Sequence, residues 1–182
     1  MIGALLIGPT DPAWLPPDSH GLTRLLSNLG LIGASLEGPA ALRWRVGERF
    51  LDHVCFLGCS PSLELEPTAD GKPFCHVRLH LEQGPPRLVR GDLRRPPRCP
   101  TCRTPQPEPP IGPKTPAWTC PTCGAELGPA DLDWGRSAGV ARSFVIVANV
   151  FPYEAVPSAE LMQALADDTG IDWRYFYAPV EE

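Results

Sequence analysis

The sequence predicts an α+β fold, with two strand-helix-strand units around a mainly antiparallel sheet and a cysteine-bearing insertion. Three observations carry this reading. An apolar run, a Pro-containing loop, a capped amphipathic segment, a Gly and a second β-type run follow one another in that order at both ends of the chain. Between the two ends lie short β-type runs separated by Gly or Pro. From about residue 84 to 133 the apolar periodicity stops and Pro, Arg and Cys take its place. A chain of 182 residues holds one domain with an insertion and falls short of two full domains. The expected division is therefore a core of residues 1–83 plus 134–182 and an insertion of residues 84–133.

Ile2 to Ile7 is a continuous apolar run closed by Gly8-Pro9, which reads as a buried strand. Asp18 or Ser19 then supplies an N-cap. Leu22, Leu25, Leu26 and Leu29 recur at the spacing of one helix face, and Gly30 is the stop signal. Leu31 to Leu36 reads as the returning strand. In the middle of the chain Leu42 to Val46, Phe50 to Leu57, Leu63 to Glu66 and Phe74 to Leu81 read as antiparallel strands, with Asp70-Gly71 as a hairpin turn. Along the last of these, Cys75, Val77, Leu79 and Leu81 alternate with Phe74, His76, Arg78 and His80, which predicts one wetter sheet face. Ser143 to Phe151 is apolar on both faces apart from Asn149, as a central strand would be. Pro157-Ser158 opens a helix carrying Leu161, Ala164 and Leu165, Gly170 ends it, and Ile171 to Ala178 returns as a strand. The two end units match in type, but their spacing slips by one residue, as independent short helix units often do.

Composition excludes several function classes. With 21 acidic and 16 basic side chains the net charge is −5, so the whole molecule would repel nucleic acid or an anionic membrane. No apolar run approaches the ~20 residues needed to cross a bilayer. Met1 to Gly8 has no basic n-region and no small-residue cleavage site, so it is expected to be a strand and not a signal peptide. Thirteen of the 24 prolines lie between Pro85 and Pro129, which leaves the remainder with a composition that can build a core. Gly3 and Gly8 lack the spacing of a phosphate or dinucleotide loop. Arg outnumbers Lys by 14 to 2, a bias of GC-rich bacterial genomes.

Cys99-Pro100-Thr101-Cys102 and Cys120-Pro121-Thr122-Cys123 are separated by 17 residues, a spacing that reads as a zinc site. Each pair grips half of a tetrahedron if its backbone turns tightly. The second pair, with Gly124 after it, resembles the Cys-Pro-x-Cys-Gly knuckle of zinc ribbons. The first departs from that pattern, because Arg103 stands where the Gly would be. The resemblance covers residues 99–123 and implies one structural Zn2+ held by Cys99, Cys102, Cys120 and Cys123, with no open position for substrate. Paired knuckles also hold iron in rubredoxin-like electron-transfer sites, so iron is the second expectation. Seven cysteines, four of them in such pairs, suit a reducing compartment better than a disulfide framework, and a cytoplasmic protein is expected.

Beside the first pair, Arg87, Arg90, Arg94, Arg95, Arg98 and Arg103 are opposed by Asp92 alone. Residues 84–118 carry seven positive and two negative side chains, so this stretch is polarised against an acidic remainder. Arg pairs bidentately with carboxylate and phosphate. The expected role is contact with a partner, a protein in preference to a nucleic acid, by a non-catalytic zinc-binding interaction protein. Pro105 to Pro116 reads as a spacer between the two knuckles.

The competing expectation is a small enzyme with its site near His53, Cys59 and His76 and with purely structural zinc. His76 and His80 would be ~13 Å apart on a strand, too far for one ion. His53, Cys55, Cys59 and His76 form a conceivable second site. Trp173, Tyr175 and Tyr177 share one strand face and are expected to pack under a helix in preference to forming a stacking platform. Asp167, Asp168 and Asp172 read as a solvated surface.

Overall fold

Successive side chains along one antiparallel sheet point to opposite faces, and each face is covered by different parts of the chain, so the central strands β1 and β10 are buried on both sides. The computed structural model describes residues 3–38, 42–58, 63–91, 96–109 and 116–179. Its elements in chain order are β1 (Gly3–Pro9), α1 (Ser19–Asn28), β2 (Ile32–Ser35), β3 (Arg43–Val46), α2 (Phe50–His53), β4 (Val54–Phe56) and β5 (His76–Leu81). They continue with β6 (Arg87–Arg90), β7 (Trp118–Thr119), β8 (Glu126–Leu127), β9 (Ala138–Ala141), β10 (Ser143–Val150), β11 (Ala155–Pro157), α3 (Ala159–Thr169) and β12 (Trp173–Ala178).

Six strands form the main sheet in the order β12-β1-β10-β5-β3-β2, and every neighbouring pair is antiparallel. The α+β class follows directly. Both expected strand-helix-strand connections exist, but neither closes on an adjacent strand. Helix α3 carries the chain from β10 to β12 with β1 lying between them, and α1 carries it from β1 to β2 at the far edge. Both helices start on the caps read from the sequence. The Asp18 carboxylate accepts from the Gly21 amide at 2.6 Å, and the Ser158 hydroxyl accepts from the Leu161 amide at 3.1 Å.

On one face Leu5, Ile7, Val77, Val145, Val147 and Tyr177 pack against Leu22 and Leu26 of α1 and Leu161 and Leu165 of α3. Each such side chain is worth about 1.5–3 kcal/mol of burial, so this helix-covered layer is the main source of stability. Trp173, Tyr175 and Tyr177 belong to it, as packing under a helix requires. On the opposite face Ala4, Leu6, Phe144, Ile146, Phe176 and Ala178 meet Ala141 and Val89 of a two-stranded ribbon, β6 with β9. The ribbon comes down very close to β12. A Cβ on Gly139 would run into the Phe176 ring, and one on Gly91 into the Tyr177 carbonyl oxygen. The Tyr177 amide donates to the Arg136 carbonyl at 3.1 Å, which occupies part of an edge that would otherwise invite strand addition.

Three expectations need correction. Phe50 to Leu57 is not one strand. A turn after Gly47 runs into the single-turn α2, which buries Phe50 and His53 and leaves Asp52 outside beside Arg49, and only β4 is extended, pairing with β11. At strand period Asp52 would have shared the buried face with Phe50. Leu63 to Glu66 is not a strand either, although Leu63 and Leu65 pack on the core and the Glu64 carbonyl accepts from the Cys75 amide at 2.6 Å. Asp70-Gly71 does turn, closed by the Gly71 amide on the Thr68 carbonyl at 3.1 Å, but it joins no hairpin.

One arginine ties the entrance of the ribbon to the sheet. Arg142, between β9 and β10, donates to the carbonyls of Glu82 (3.2 Å), Gln83 (3.1 Å) and Ala13 (3.4 Å).

Candidate metal centre

The ribbon leads into a small module with its own core of Leu88, Leu127, Leu132, Trp134 and Val140, in which Cys99 and Cys120 are buried. Two backbone knuckles of the same design present the cysteines. In the first, the Arg103 amide donates to the Cys99 carbonyl at 3.0 Å and the Cys99 amide to the Thr104 carbonyl at 3.0 Å. In the second, the Gly124 amide donates to the Cys120 carbonyl at 2.9 Å and the Cys120 amide to the Ala125 carbonyl at 2.8 Å. The flanking residues also pair alike, Arg98 with Pro105 and Thr119 with Glu126. Arg103 and Gly124 are the residues that reverse the chain, with φ of 63° and 76°. The second position is the one a Gly fills without strain.

The knuckles face each other across the four sulfurs. Cys99 Sγ lies 3.7 Å from Cys123 Sγ and Cys102 Sγ lies 3.7 Å from Cys120 Sγ. All four sulfurs fall within 4.8 Å of one another. A tetrahedral ion with metal–sulfur bonds of ~2.3 Å requires sulfur–sulfur edges of about 3.8 Å, so the donor set fits such an ion. The four cysteines are free, and the spacing is far above the ~2.05 Å of a disulfide.

The thiols are unequal. Hydrogen bonds from the Thr104 hydroxyl and amide hold Cys102 at about 6, against an ordinary 9.0. Backbone amides of Cys123 and Thr122 lower Cys120. At Cys123 the Ala125 backbone bond lowers the value, but desolvation and the three neighbouring sulfurs together outweigh it and push the thiol up to about 12. Thiols this close oppose one another's ionisation, and a cation placed among them would favour the thiolate form of all four.

Gln106 is the functional side chain that sequence reasoning missed. It is 3% exposed, and its Nε2 donates to Cys120 Sγ at 3.4 Å and to the Thr104 carbonyl at 3.2 Å. The Trp118 indole donates to its Oε1 at 3.4 Å, which fixes the amide orientation. A single Gln in a Pro-rich stretch carries no motif, so nothing in the sequence marks it.

The arginines expected beside the site are partly committed to the module itself. Arg90 pairs with Glu108 at 2.8 Å, Arg98 donates to the Arg103 carbonyl at 3.0 Å, and Arg103 pairs with Asp133 at 2.5 Å. Arg87 is exposed at the start of β6, and Arg94 and Arg95 lie outside the described residues. Arg98 and Arg103 meet Arg136, Trp134 and Tyr153 around a cleft of about 270 Å³ where the module reaches the core.

Among the described residues, the cluster of Cys99, Cys102, Cys120 and Cys123 is the one group of three or more His, Cys, Asp or Glu side chains able to hold a metal ion. His53, Cys55 and His76 do not assemble into another. The His53 ring sits against the Leu29 carbonyl at 2.8 Å, Cys55 is exposed, and His76 Nδ1 lies 3.0 Å from the Phe74 carbonyl. Cys59 lies outside the described residues. Asp167, Asp168 and Asp172 are exposed. Among the described residues, no helix is long and apolar enough to cross a membrane. No family model, curated protein or solved structure matches this chain.

Proposed function

We propose that this is a non-catalytic zinc-binding interaction protein in which residues 84–133 form a zinc ribbon inserted into the α+β core, with Trp134 and Val140 of the returning chain completing the insertion's own small core. The observation that carries the reading is the pair of matched knuckles closing four sulfurs within 4.8 Å. Four thiolates fill the coordination sphere of a tetrahedral zinc ion and leave no position for a substrate, which supports a structural role. The ion staples a segment whose Pro content leaves it little apolar surface of its own, and the thiolates it needs suit the reducing cytoplasm.

The face that Arg98, Arg103 and Arg136 present next to the ribbon is the proposed contact surface, with an acidic protein as its partner. Glu108 and Asp133 already balance two arginines of the module. That suits a short acidic segment better than a run of phosphates, for which several uncommitted cations are required. Metal content per chain and the visible spectrum of freshly purified protein test the metal. One colourless zinc per chain supports the ribbon, whereas iron with thiolate charge-transfer bands replaces it with an electron-transfer site. Capture of an acidic protein that is lost in the Arg98→Ala/Arg136→Ala variant supports the contact surface. Nucleic-acid binding that weakens steeply with salt overturns the choice of partner.

A further inference from the structure

The cleft where the four-cysteine module reaches the core is built from two halves with different supports. One half is carried by the first knuckle. Arg98 directly precedes Cys99 and Arg103 directly follows Cys102, so both are bonded to residues that present sulfur to the centre. The Arg98 backbone bridges to Asp133 at the root of the module and to Pro105 across the knuckle, and its Nη1 rests on the Arg103 carbonyl at 3.0 Å. Arg103 takes its left-handed φ of 63° with its amide closing the knuckle on the Cys99 carbonyl at 3.0 Å. The directions of both guanidinium groups therefore follow the fold of the knuckle.

The other half is carried by the core. The Arg136 carbonyl accepts from the Tyr177 amide of β12 at 3.1 Å, and the Ser137 carbonyl accepts from the Gly91 amide at 2.8 Å. The Arg136 guanidinium lies 4.5 Å over the Tyr175 ring. Tyr153 lines the same half and packs on Tyr177 with ring centroids 4.7 Å apart. None of these contacts involves a residue of the metal centre.

The halves differ in what a metal ion does for them. Among the described residues, the apolar core of the module takes from the first knuckle only Cys99 and Cys102. That knuckle is thus anchored through the side chains that would hold the ion, and metal binding of this kind is coupled to folding of the segment that supplies the ligands. Three arginines and one carboxylate, Asp133, line the cleft, and its volume of about 270 Å³ suits side chains of a peptide better than a cofactor.

We propose that the cleft is gated by the metal: loading of the four-cysteine centre sets Arg98 and Arg103 against Arg136, so that the ion and an acidic peptide segment bind with positive coupling. This rests on the reading of this face as the contact surface for an acidic partner. Arginine recognises carboxylates through paired N–H donors, whose directions must be fixed for the pairing to form. By reciprocity, the segment raises the chain's zinc affinity by the factor by which zinc raises its affinity for the segment.

Acetyl-tetraglutamate amide is the probe, with acetyl-tetraglutamine amide as its neutral control. The full chain is titrated zinc-loaded and zinc-free, under reductant, and followed by the amide shifts of Arg136 and Ser137. The loaded chain should bind the acidic peptide saturably and the zinc-free chain at least about tenfold more weakly, and saturating peptide should tighten zinc by the same factor in competition with a chelator. Arg98→Gln/Arg103→Gln spares the cysteines and should abolish the coupling. Arg136→Gln, on the core half, should weaken peptide binding in both states and keep the coupling factor. Equal peptide affinity in the two states, or coupling that survives in Arg98→Gln/Arg103→Gln, overturns the gate and leaves the contact surface standing. Absence of peptide binding by the loaded chain, or equal binding of the neutral control, overturns the contact surface and the gate with it.

Discussion

Arg103 Nη1 stands 2.5 Å from Asp133 Oδ2, so the residue that reverses the first knuckle also ties it to the segment that leads back toward β9. The backbones of Arg98 and Asp133 pair through two hydrogen bonds of 3.0 and 2.9 Å in the same region, which makes this crossing the root of the module.

The left-handed conformation costs a non-glycine residue about 1 kcal/mol or more, whereas an exposed ion pair returns roughly 0.2–1 kcal/mol. Arg103→Gly should therefore be neutral or stabilising by up to about 1 kcal/mol, because the relief of strain matches or exceeds the lost pair. Arg103→Ala keeps the strain and loses the pair, so it should fall below the parent. Urea denaturation of the metal-loaded protein ranks the three, and a glycine variant less stable than the alanine variant contradicts the argument.

Gln106 should govern how tightly the centre holds its metal. Removing a hydrogen bond to a ligand typically costs 10–100-fold in metal affinity. Gln106→Leu keeps the shape and loses the donor to Cys120, so a loss in that range is expected in competition with a chelator, with the core unchanged. Gln106→Glu should lose more, since it sets an anion against the thiolate while retaining an acceptor for Trp118. Unaltered affinity in both variants would show that the 3.4 Å contact is packing alone.

What the sequence discloses here follows from how locally each feature is determined. The helices α1 and α3 are set by caps and spacing within a dozen residues, and the four-cysteine cluster by two short motifs, so both were legible. The ribbon was not. Ala138-Gly139-Val140-Ala141 has no period of its own and becomes a strand because small side chains let it lie on Phe176. Phe50 and His53 are adjacent on a helical turn and on opposite faces of a strand, and the choice between them is made by Gly47 and Arg49 bonding back to Leu31 and Gly30. Arg43 and Arg78 stand opposite one another only once β3 and β5 are in register.

His76 predicts an acid-sensitive fold. It is 3% exposed on β5, and desolvation is the main cause holding its protonation below the usual 6.5. The charges of Arg43 and Arg78 act in the same direction, against the Phe74 carbonyl and Glu37, which favour the proton. The unfolded chain therefore binds a proton that the folded one refuses. Stability should be level above pH 6.5 and fall as the pH drops from there toward the lowered folded value. Denaturation midpoints of the parent and His76→Gln between pH 7.5 and about 5, above the main carboxylate range, test this. The variant should show the shallower slope, and parallel slopes would remove His76 as the cause.

Arg142 is expected to be the most costly arginine to remove. Its guanidinium reaches three carbonyls in two loops, Ala13 before α1 and Glu82 and Gln83 between β5 and β6. The Arg142 amide adds a bond to the Pro12 carbonyl at 3.0 Å that any residue except Pro would keep. Hydrogen bonds from a charged donor are each worth about 1.5–3 kcal/mol at most, and solvent at this half-buried site can replace some of them. Arg142→Ala should lose about 2–3 kcal/mol in urea denaturation. Arg142→Lys, which supplies one compact donor in place of a planar fork, should recover less than half of the loss. Because the two loops flank the entrance of the ribbon, hydrogen exchange should quicken at Glu82, Gln83 and Ala13 in Arg142→Ala while the four-cysteine module keeps its protection. A loss below about 0.5 kcal/mol, the range of an unremarkable surface substitution, would show that solvent replaces all three bonds.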